Sequence, residues 1–179
     1  MPYIAHDKFT HYIDSRGDGI VDEGDMIFLP SGDCLEMGVM PNPATGKEQL
    51  YKEIWSSAKP LPGLDGVDDA KLCVVAHTVS PNSCKGIVIR LGGRLQAVLS
   101  QSHEGGKQTF EVERRVRGND QSSGPVTAVI ADDIPGGSWY CDIRSSGNMP
   151  VAWLCMQGRY VGQQLEHNGI TWEVTEVHA

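Results

Sequence analysis

Long apolar runs, clustered basic residues and closely spaced cysteines are all scarce in this chain of 179 residues. No run approaches the roughly 20 apolar residues of a membrane-spanning helix, and the first residues lack the charged start and apolar core of a signal peptide. We therefore predict no membrane partner. The five cysteines are odd in number, widely spaced and include no Cys-x-x-Cys pair, which predicts free thiols, no zinc site and a cytoplasmic location.

Positive charge is also in short supply. The formal net charge is −8, and the sequence pI is about 5.1. The densest basic run, Arg114-Arg115-Val116-Arg117, is short and follows acidic residues, so we interpret it as a strand edge. Because binding to phosphate backbones needs clustered Lys and Arg, nucleic acid is not an expected partner.

Local signatures of cofactor chemistry are missing as well. The sequence contains no Gly-x-Gly-x-x-Gly, no phosphate-binding loop, no Gly-x-Ser-x-Gly and no His-x-x-x-His. We therefore expect neither a metal nor a cofactor, and any enzymatic activity would be cofactor-free.

Short apolar or alternating runs dominate what is present. They are rich in Val, Ile, Thr, Trp and Tyr, and glycine or proline separates them every 8–15 residues. Tight turns are predicted at Ser31-Gly32-Asp33, at residues 42–46 and at Gly92-Gly93. This pattern predicts an all-β protein of about ten antiparallel strands in up-and-down order, closed into a single barrel over residues 1–179. The runs are Met26–Leu29, Cys34–Met40, Glu48–Trp55, Lys71–Ser80, Gly86–Leu91, Arg94–Gln101, Lys107–Arg117, Val126–Ala131, Ser138–Arg144, Val151–Gln157, Tyr160–Leu165 and Ile170–Val177.

The run EQLYKEIW, residues 48–55, raises the question of which side faces inward. In one interpretation Leu50 and Ile54 face the core. In the other, which we favour, Tyr51, Glu53 and Trp55 line a ligand cavity, because two large aromatic side chains on an outer face would leave much apolar area in water. A carboxylate between aromatic walls would be desolvated, its pKa would rise, and it could act as a general acid or base.

Other polar residues alternate with apolar neighbours along the predicted strands. His77 lies within the apolar run LCVVAHTV, where a hydrogen-bonded core histidine is the alternative to a catalytic base. For each charged residue, exposure on the solvated face is the alternative to a place in the cavity. The inward candidates are Glu36, His77, Arg90, Gln96, Glu111, Trp139 and Trp153.

Four motifs resemble a small fungal family of lipocalin-like proteins. They are the Asn-Pro-x-Thr-Gly turn at residues 42–46, Tyr-x-Glu-x-Trp at 51–55, Gly-[Ile/Val]-x-x-Arg-x-Gly at 86–92 and Val-Glu-Arg at 112–114. The resemblance covers roughly residues 17–117 and implies a lipocalin-like barrel. Some single-barrel fungal proteins of this kind act as cofactor-free cyclases or isomerases beside polyketide or terpenoid pathways.

The resemblance and the strand pattern together predict a cyclase or isomerase that closes a ring in a bound apolar or aromatic metabolite, for example by forming a C–O bond. The predicted catalytic residues are Glu53, Tyr51, His77 and Glu111, and the predicted substrate-binding residues are Glu36, Trp55, Arg90, Gln96, Trp139 and Trp153. A barrel that only binds a small molecule or another protein is the alternative. Whether the chain forms a homodimer is left open.

Overall fold

The computed structural model describes residues 4–13, 21–42, 44–57, 71–79, 83–117, 131–132, 139–144, 148–156 and 158–179. The chain divides into two compact units, Met1–Lys59 and Pro60–Ala179. The predicted strand Val126–Ala131 lies outside the described residues except for its last residue.

The first unit contains one antiparallel sheet of four strands in sequence order. Its strands are β1 (Ile4–Phe9), β2 (Asp22–Phe28), β3 (Cys34–Pro41) and β4 (Glu48–Trp55). Tight turns join β2 to β3 and β3 to β4, as Gly32 and Gly46 in the sequence predict. Among the described residues of this unit, Met26 is the one buried apolar side chain, and Glu36 is buried beside it.

In its described residues, the second unit contains an antiparallel sheet of eight strands, one short α-helix and a 3-10 turn at Glu104–Gly106. The sheet order is β11-β12-β5-β6-β7-β8-β10-β9. The elements are β5 (Cys73–Thr78), β6 (Cys84–Leu91), β7 (Arg94–Ser102), β8 (Gln108–Arg117), β9 (Ala131–Asp132), β10 (Trp139–Arg144), α1 (Val151–Cys155), β11 (Gln164–His167) and β12 (Ile170–His178). Gly92, at a φ of 55°, allows the tight turn between β6 and β7 that the sequence predicts.

The apolar core of the second unit lies on one face of this sheet. Val74, Val88 and Leu99 are fully buried there, and Trp172 crosses the sheet over Gly86. A Cβ atom at residue 86 would stand 2.4 Å from the Trp172 ring, so only glycine fits under it. The helix α1 adds Val151, Leu154 and Cys155 to the core.

The all-β, antiparallel prediction is confirmed. The single barrel is not confirmed, because the strand pairs among the described residues do not close either sheet on itself. One predicted strand, Val151–Gln157, is wrong, since residues 151–155 form α1. An apolar run with no polar alternation suits a fully buried helix as well as a strand, and Pro150 at its start disfavours sheet pairing.

The five cysteines are free thiols, as predicted. No helix in the described part of the chain is long and apolar enough to cross a membrane.

Candidate functional site

The hairpin of β6 and β7 carries apolar residues on both of its faces. Val88 and Leu95 belong to the buried core, whereas Ile89 and Leu91 are 42% and 53% exposed on the other face. A strand pair that needs only one core should carry polar residues on its second face. The second face therefore has a different role from the first.

A groove runs over this second face, across β6, β7 and β8. Its volume is about 470 Å³, within the roughly 300–1,000 Å³ of small-molecule sites. We call it the outer groove, and its lining residues are Ile87, Ile89, Leu91, Arg94, Leu95, Gln96, Val98, Arg114, Arg115 and Val116. None of these ten residues is acidic, and the side chains of Leu95 and Arg115 project to the opposite, core face.

Strand register determines how the polar lining groups are arranged. Gln96 lies directly opposite Arg114, and Arg94 lies directly opposite Val116. Arg94 and Arg114 are therefore diagonal neighbours on one face, a relation that separates residues by roughly 7–8 Å. Two long guanidinium side chains at that spacing can reach the same acidic group of a ligand. The remainder of the lining offers apolar contact.

His77 is the predicted catalytic residue nearest to this groove. It lies directly opposite Ile87 on the neighbouring strand β5, so its side chain is on the same face as the groove. It is half-buried and does not itself line the groove. Among the predicted binding residues, Gln96 is the one in the lining.

Arg90 lies on the opposite, buried face of the sheet. Its Nε donates a hydrogen bond to the Gly92 carbonyl at 3.0 Å. Its Nη1 lies 3.2, 3.0 and 3.3 Å from the carbonyl oxygens of Leu154, Cys155 and Met156. These carbonyl groups lie at the C-terminal end of α1, where the helix offers them no N–H partner. The fully buried Arg90 side chain donates hydrogen bonds to them instead. The geometry gives Arg90 a structural role.

Trp139 and Glu113 join the same buried network. The guanidinium carbons of Arg90 and Arg117 lie 5.6 and 5.8 Å from the centre of the Trp139 ring, within cation–π range. Glu113 accepts two contacts of 2.6 Å from Arg115, and both side chains are buried. This network occupies the sheet face that carries the core, so Trp139 is not part of the outer groove.

Two more predicted residues also face away from the groove. Glu111 accepts a hydrogen bond of 2.8 Å from Asn148, and it pairs with the buried Leu99 on the core side. Trp153 is 8% exposed, and the Arg159 guanidinium stacks on its ring at 5.0 Å.

In the first unit, the structure brings three predicted residues together around one carboxylate. Glu36 is 2% exposed. Its Oε1 accepts a hydrogen bond from the Tyr51 hydroxyl and its Oε2 one from Trp55 Nε1, both at 2.7 Å. Partial burial, and after it the hydrogen bond to Glu36, raise the pKa of Tyr51 above its usual value of 10.

Two glycines make room for the Tyr51 ring. Gly24 and Gly38 lie opposite each other on β2 and β3. A Cβ atom at residue 38 would stand 2.5 Å from the Tyr51 ring, so the ring lies flat over bare backbone. Its hydroxyl thereby reaches Glu36 and the Glu23 carbonyl.

Glu53 lies opposite Glu36 in the strand register, but it is exposed. The sequence therefore predicts the correct face of β4 and the wrong carboxylate for burial. Leu50 and Ile54, the core residues of the other interpretation, are 82% and 68% exposed. The reason is that the aromatic rings of β4 lean over its neighbour β3 and enclose the carboxylate there.

Metal binding finds no support in the described ranges, where no group of three or more His, Cys, Asp or Glu side chains could hold an ion. Arg94 and Arg114 are the site residues that the sequence prediction missed. The sequence feature that could have located them is the β6–β7 hairpin, which is apolar on both faces. The core needs only one apolar face, so the second one indicates a binding surface.

Two comparisons with known proteins yield matches. The family model described as Protein HRI1 matches residues 2–176 of the chain. A crystal structure of the uncharacterized protein YLR301w from Saccharomyces cerevisiae is similar, with a TM-score of 0.70 and 17% sequence identity, over 98% of this chain and 71% of that chain. At that identity the likeness shows the fold alone. No curated protein sequence matches the chain.

Proposed function

We propose that this chain, which belongs to the HRI1 family, binds a small amphipathic anion in the outer groove. By this we mean a molecule with an apolar body and one acidic group, such as a carboxylate or a sulfonate. The observation that carries the proposal is the composition of the groove face, which combines the five apolar side chains of Ile87, Ile89, Leu91, Val98 and Val116 with two neighbouring arginines, Arg94 and Arg114, and no acid.

The net charge of the protein limits where an anion can bind. A chain with a net charge of −8 repels anions in general, so an anion binds only where cations are concentrated. Arg94 and Arg114 provide such a place, because their side chains lie on the same face of the groove.

The lining favours binding over acid–base chemistry. Arginine stays protonated at every physiological pH, so it can orient a substrate but cannot exchange a proton with it. The lining contains no other ionisable group. A carrier or sensor of the ligand therefore fits the groove better than an enzyme does.

A cofactor-free cyclase or isomerase is the second candidate, and the position of His77 favours it. The imidazole lies beside Ile87 on the groove face and could move a proton for a ligand that extends past the lining. The predicted cytoplasmic location and closed lipocalin-like barrel are likewise proposals, and so is the homodimer that the sequence left open.

Isothermal titration with decanoate, decanol and decyltrimethylammonium tests the binding proposal. These probes share an apolar chain and differ in charge. Decanoate should bind about tenfold more tightly than decanol, because a charged hydrogen bond contributes about 1.4 kcal/mol or more. Equal binding of all three probes would contradict the assigned role of the arginines.

Arg114→Gln supplies the matched variant, with Lys85→Gln as its control. Lys85 is exposed on β6 outside the groove and carries the same charge, so removing it changes the net charge equally. Arg114→Gln should weaken decanoate about tenfold and leave decanol unchanged, whereas Lys85→Gln should change neither appreciably. For the enzyme alternative, conversion of an acidic polyketide or terpenoid intermediate should be lost in His77→Gln.

A further inference from the structure

The four-stranded sheet sorts its side chains by chemistry between its two faces. Side chains alternate along each strand, and directly opposite residues share a face, so the register assigns every residue to one side. One side carries all four aromatic residues of these strands and four carboxylates. We call it the acidic aromatic face, and the residues are Phe9, Phe28, Tyr51, Trp55, Asp7, Asp22, Glu36 and Glu53.

No lysine or arginine of β1, β2, β3 or β4 lies on the acidic aromatic face. Lys8 and Lys52 both project from the opposite side, because they occupy the alternate positions of β1 and β4. A solvated face of a sheet normally mixes both signs of charge. The separation leaves Asp7 and Glu53 exposed near the aromatic rings, whereas Asp22 lies 3.4 Å from the His11 imidazole and Glu36 is buried.

The aromatic rings on this face are unusually exposed. Trp55 is 53% exposed, Phe28 is 51% exposed and Phe9 is 37% exposed. Phe28 and Trp55 both pair with Cys34, one from each neighbouring strand, so they flank the same position of β3. Exposed aromatic residues grouped in this way are typical of interaction sites.

Trp55 is also held in a fixed orientation. Its Nε1 donates to Glu36 Oε2 at 2.7 Å, and Glu36 is itself held by Tyr51. A ring anchored by a buried carboxylate loses little further conformational freedom when a partner covers it. Trp55 is therefore preorganised as a contact residue.

We propose that the acidic aromatic face docks a basic segment of a partner protein, with lysine or arginine side chains over Trp55 and Phe28. A cation is attracted to the face of an aromatic ring and to the carboxylates around it. The exposed carboxylates Asp7 and Glu53 lie on the two outer strands, β1 and β4, a width of about 14 Å, which exceeds the reach of a single ammonium group. A second copy is disfavoured, because two such faces would repel each other.

Tryptophan fluorescence can report on this site directly. Of the four tryptophans, Trp139, Trp153 and Trp172 are at most 8% exposed, so a surface ligand changes mainly the emission of Trp55. The probes are a capped (Lys-Gly)4 peptide and a capped (Gln-Gly)4 peptide. We expect saturable quenching by the lysine peptide, weakened by salt, and none by the glutamine peptide.

Matched variants distinguish binding of the lysine peptide at this face from its general attraction to an acidic protein. Glu53→Gln and Glu48→Gln remove the same charge from opposite faces of β4, and both residues are exposed. Glu53→Gln should weaken binding about threefold, and Glu48→Gln by no more than about 1.5-fold. Phe28→Leu should weaken it about threefold without touching the Glu36 hydrogen bonds.

Several results would overturn the proposal. Equal effects of Glu53→Gln and Glu48→Gln would mean non-specific attraction. Binding of tetramethylammonium as tight as that of the lysine peptide would point to a small organic cation. A dimer in sedimentation experiments that Phe28→Leu abolishes would identify a second copy as the occupant. None of these variants lies in the outer groove, so decanoate binding should persist in all of them whatever the outcome.

Discussion

The two sheets bury different kinds of side chain. The eight-stranded sheet packs a continuous apolar core and adds charged residues at its margin, where Arg90 satisfies the end of α1. The four-stranded sheet has one buried apolar side chain, Met26, among its described residues, and its centre is the carboxylate of Glu36. Burial of apolar area stabilises the first arrangement, and directional hydrogen bonds define the second.

This difference has a consequence for stability. Apolar burial contributes about 25 cal/mol per Å², so a sheet without a core of its own gains little from it. Regions with few buried apolar contacts open more readily than the rest of a protein. The first unit should therefore exchange its amide hydrogens faster than the second. Each of its hydrogen bonds should account for a larger share of the free energy that keeps this unit folded.

The largest expected effect is the loss of Arg90. Arg90→Met removes the donors to four carbonyl oxygens in a fully buried place, and we expect a loss of about 3 kcal/mol in the free energy of unfolding. Urea denaturation followed by near-ultraviolet circular dichroism measures it. The control is Arg114→Met on the opposite face of the same sheet, which should change stability by less than about 0.5 kcal/mol. Similar losses in both variants would refute the division between core face and groove face.

A smaller effect is expected from Glu36→Gln. A neutral amide has one acceptor oxygen and one NH2 donor where the carboxylate has two charged acceptors. Neither Tyr51 nor Trp55 then keeps a charged acceptor, and one of them faces the amide nitrogen. We expect the first unit to lose about 1.5–3 kcal/mol, seen as faster hydrogen exchange in β2, β3 and β4. Glu53→Gln, the same change at the exposed position opposite, should have almost no effect. Unchanged exchange in Glu36→Gln would mean that the carboxylate does not organise this sheet.

The smallest effect concerns alkaline pH. The folded-state pKa of Tyr51 lies above its unfolded value of 10, so the folded state holds this proton more tightly. The resulting stability is fully present below pH 10 and is lost as the pH rises from there towards the folded pKa. Urea midpoints of the first unit should fall above pH 10 in the wild type, and Tyr51→Phe should flatten that decline. Tyr160→Phe, at an exposed tyrosine, should leave it unchanged.

The sequence determined most of the strands and turns, although it missed β1 and predicted a strand over the residues that form α1. Alternation in EQLYKEIW placed Tyr51 and Trp55 on one face, and paired glycines located the turn between β6 and β7. Alternation could not identify the carboxylate that is buried, because Glu36 and Glu53 lie on different strands and show the same local pattern. Only cross-strand register, and the way that Tyr51 crosses Gly38, decided that Glu36 is the enclosed one.

The same limit applies to the outer groove. The sequence showed that β6 and β7 are apolar on both sides, and that Arg94 and Gln96 share a face with Val98. It could not show that Arg90 and Arg114 face opposite ways, because a slip of one residue in register exchanges the two faces. Secondary structure follows from neighbours along the chain. The site follows from neighbours across strands, whose spacing is fixed only when the sheet has formed.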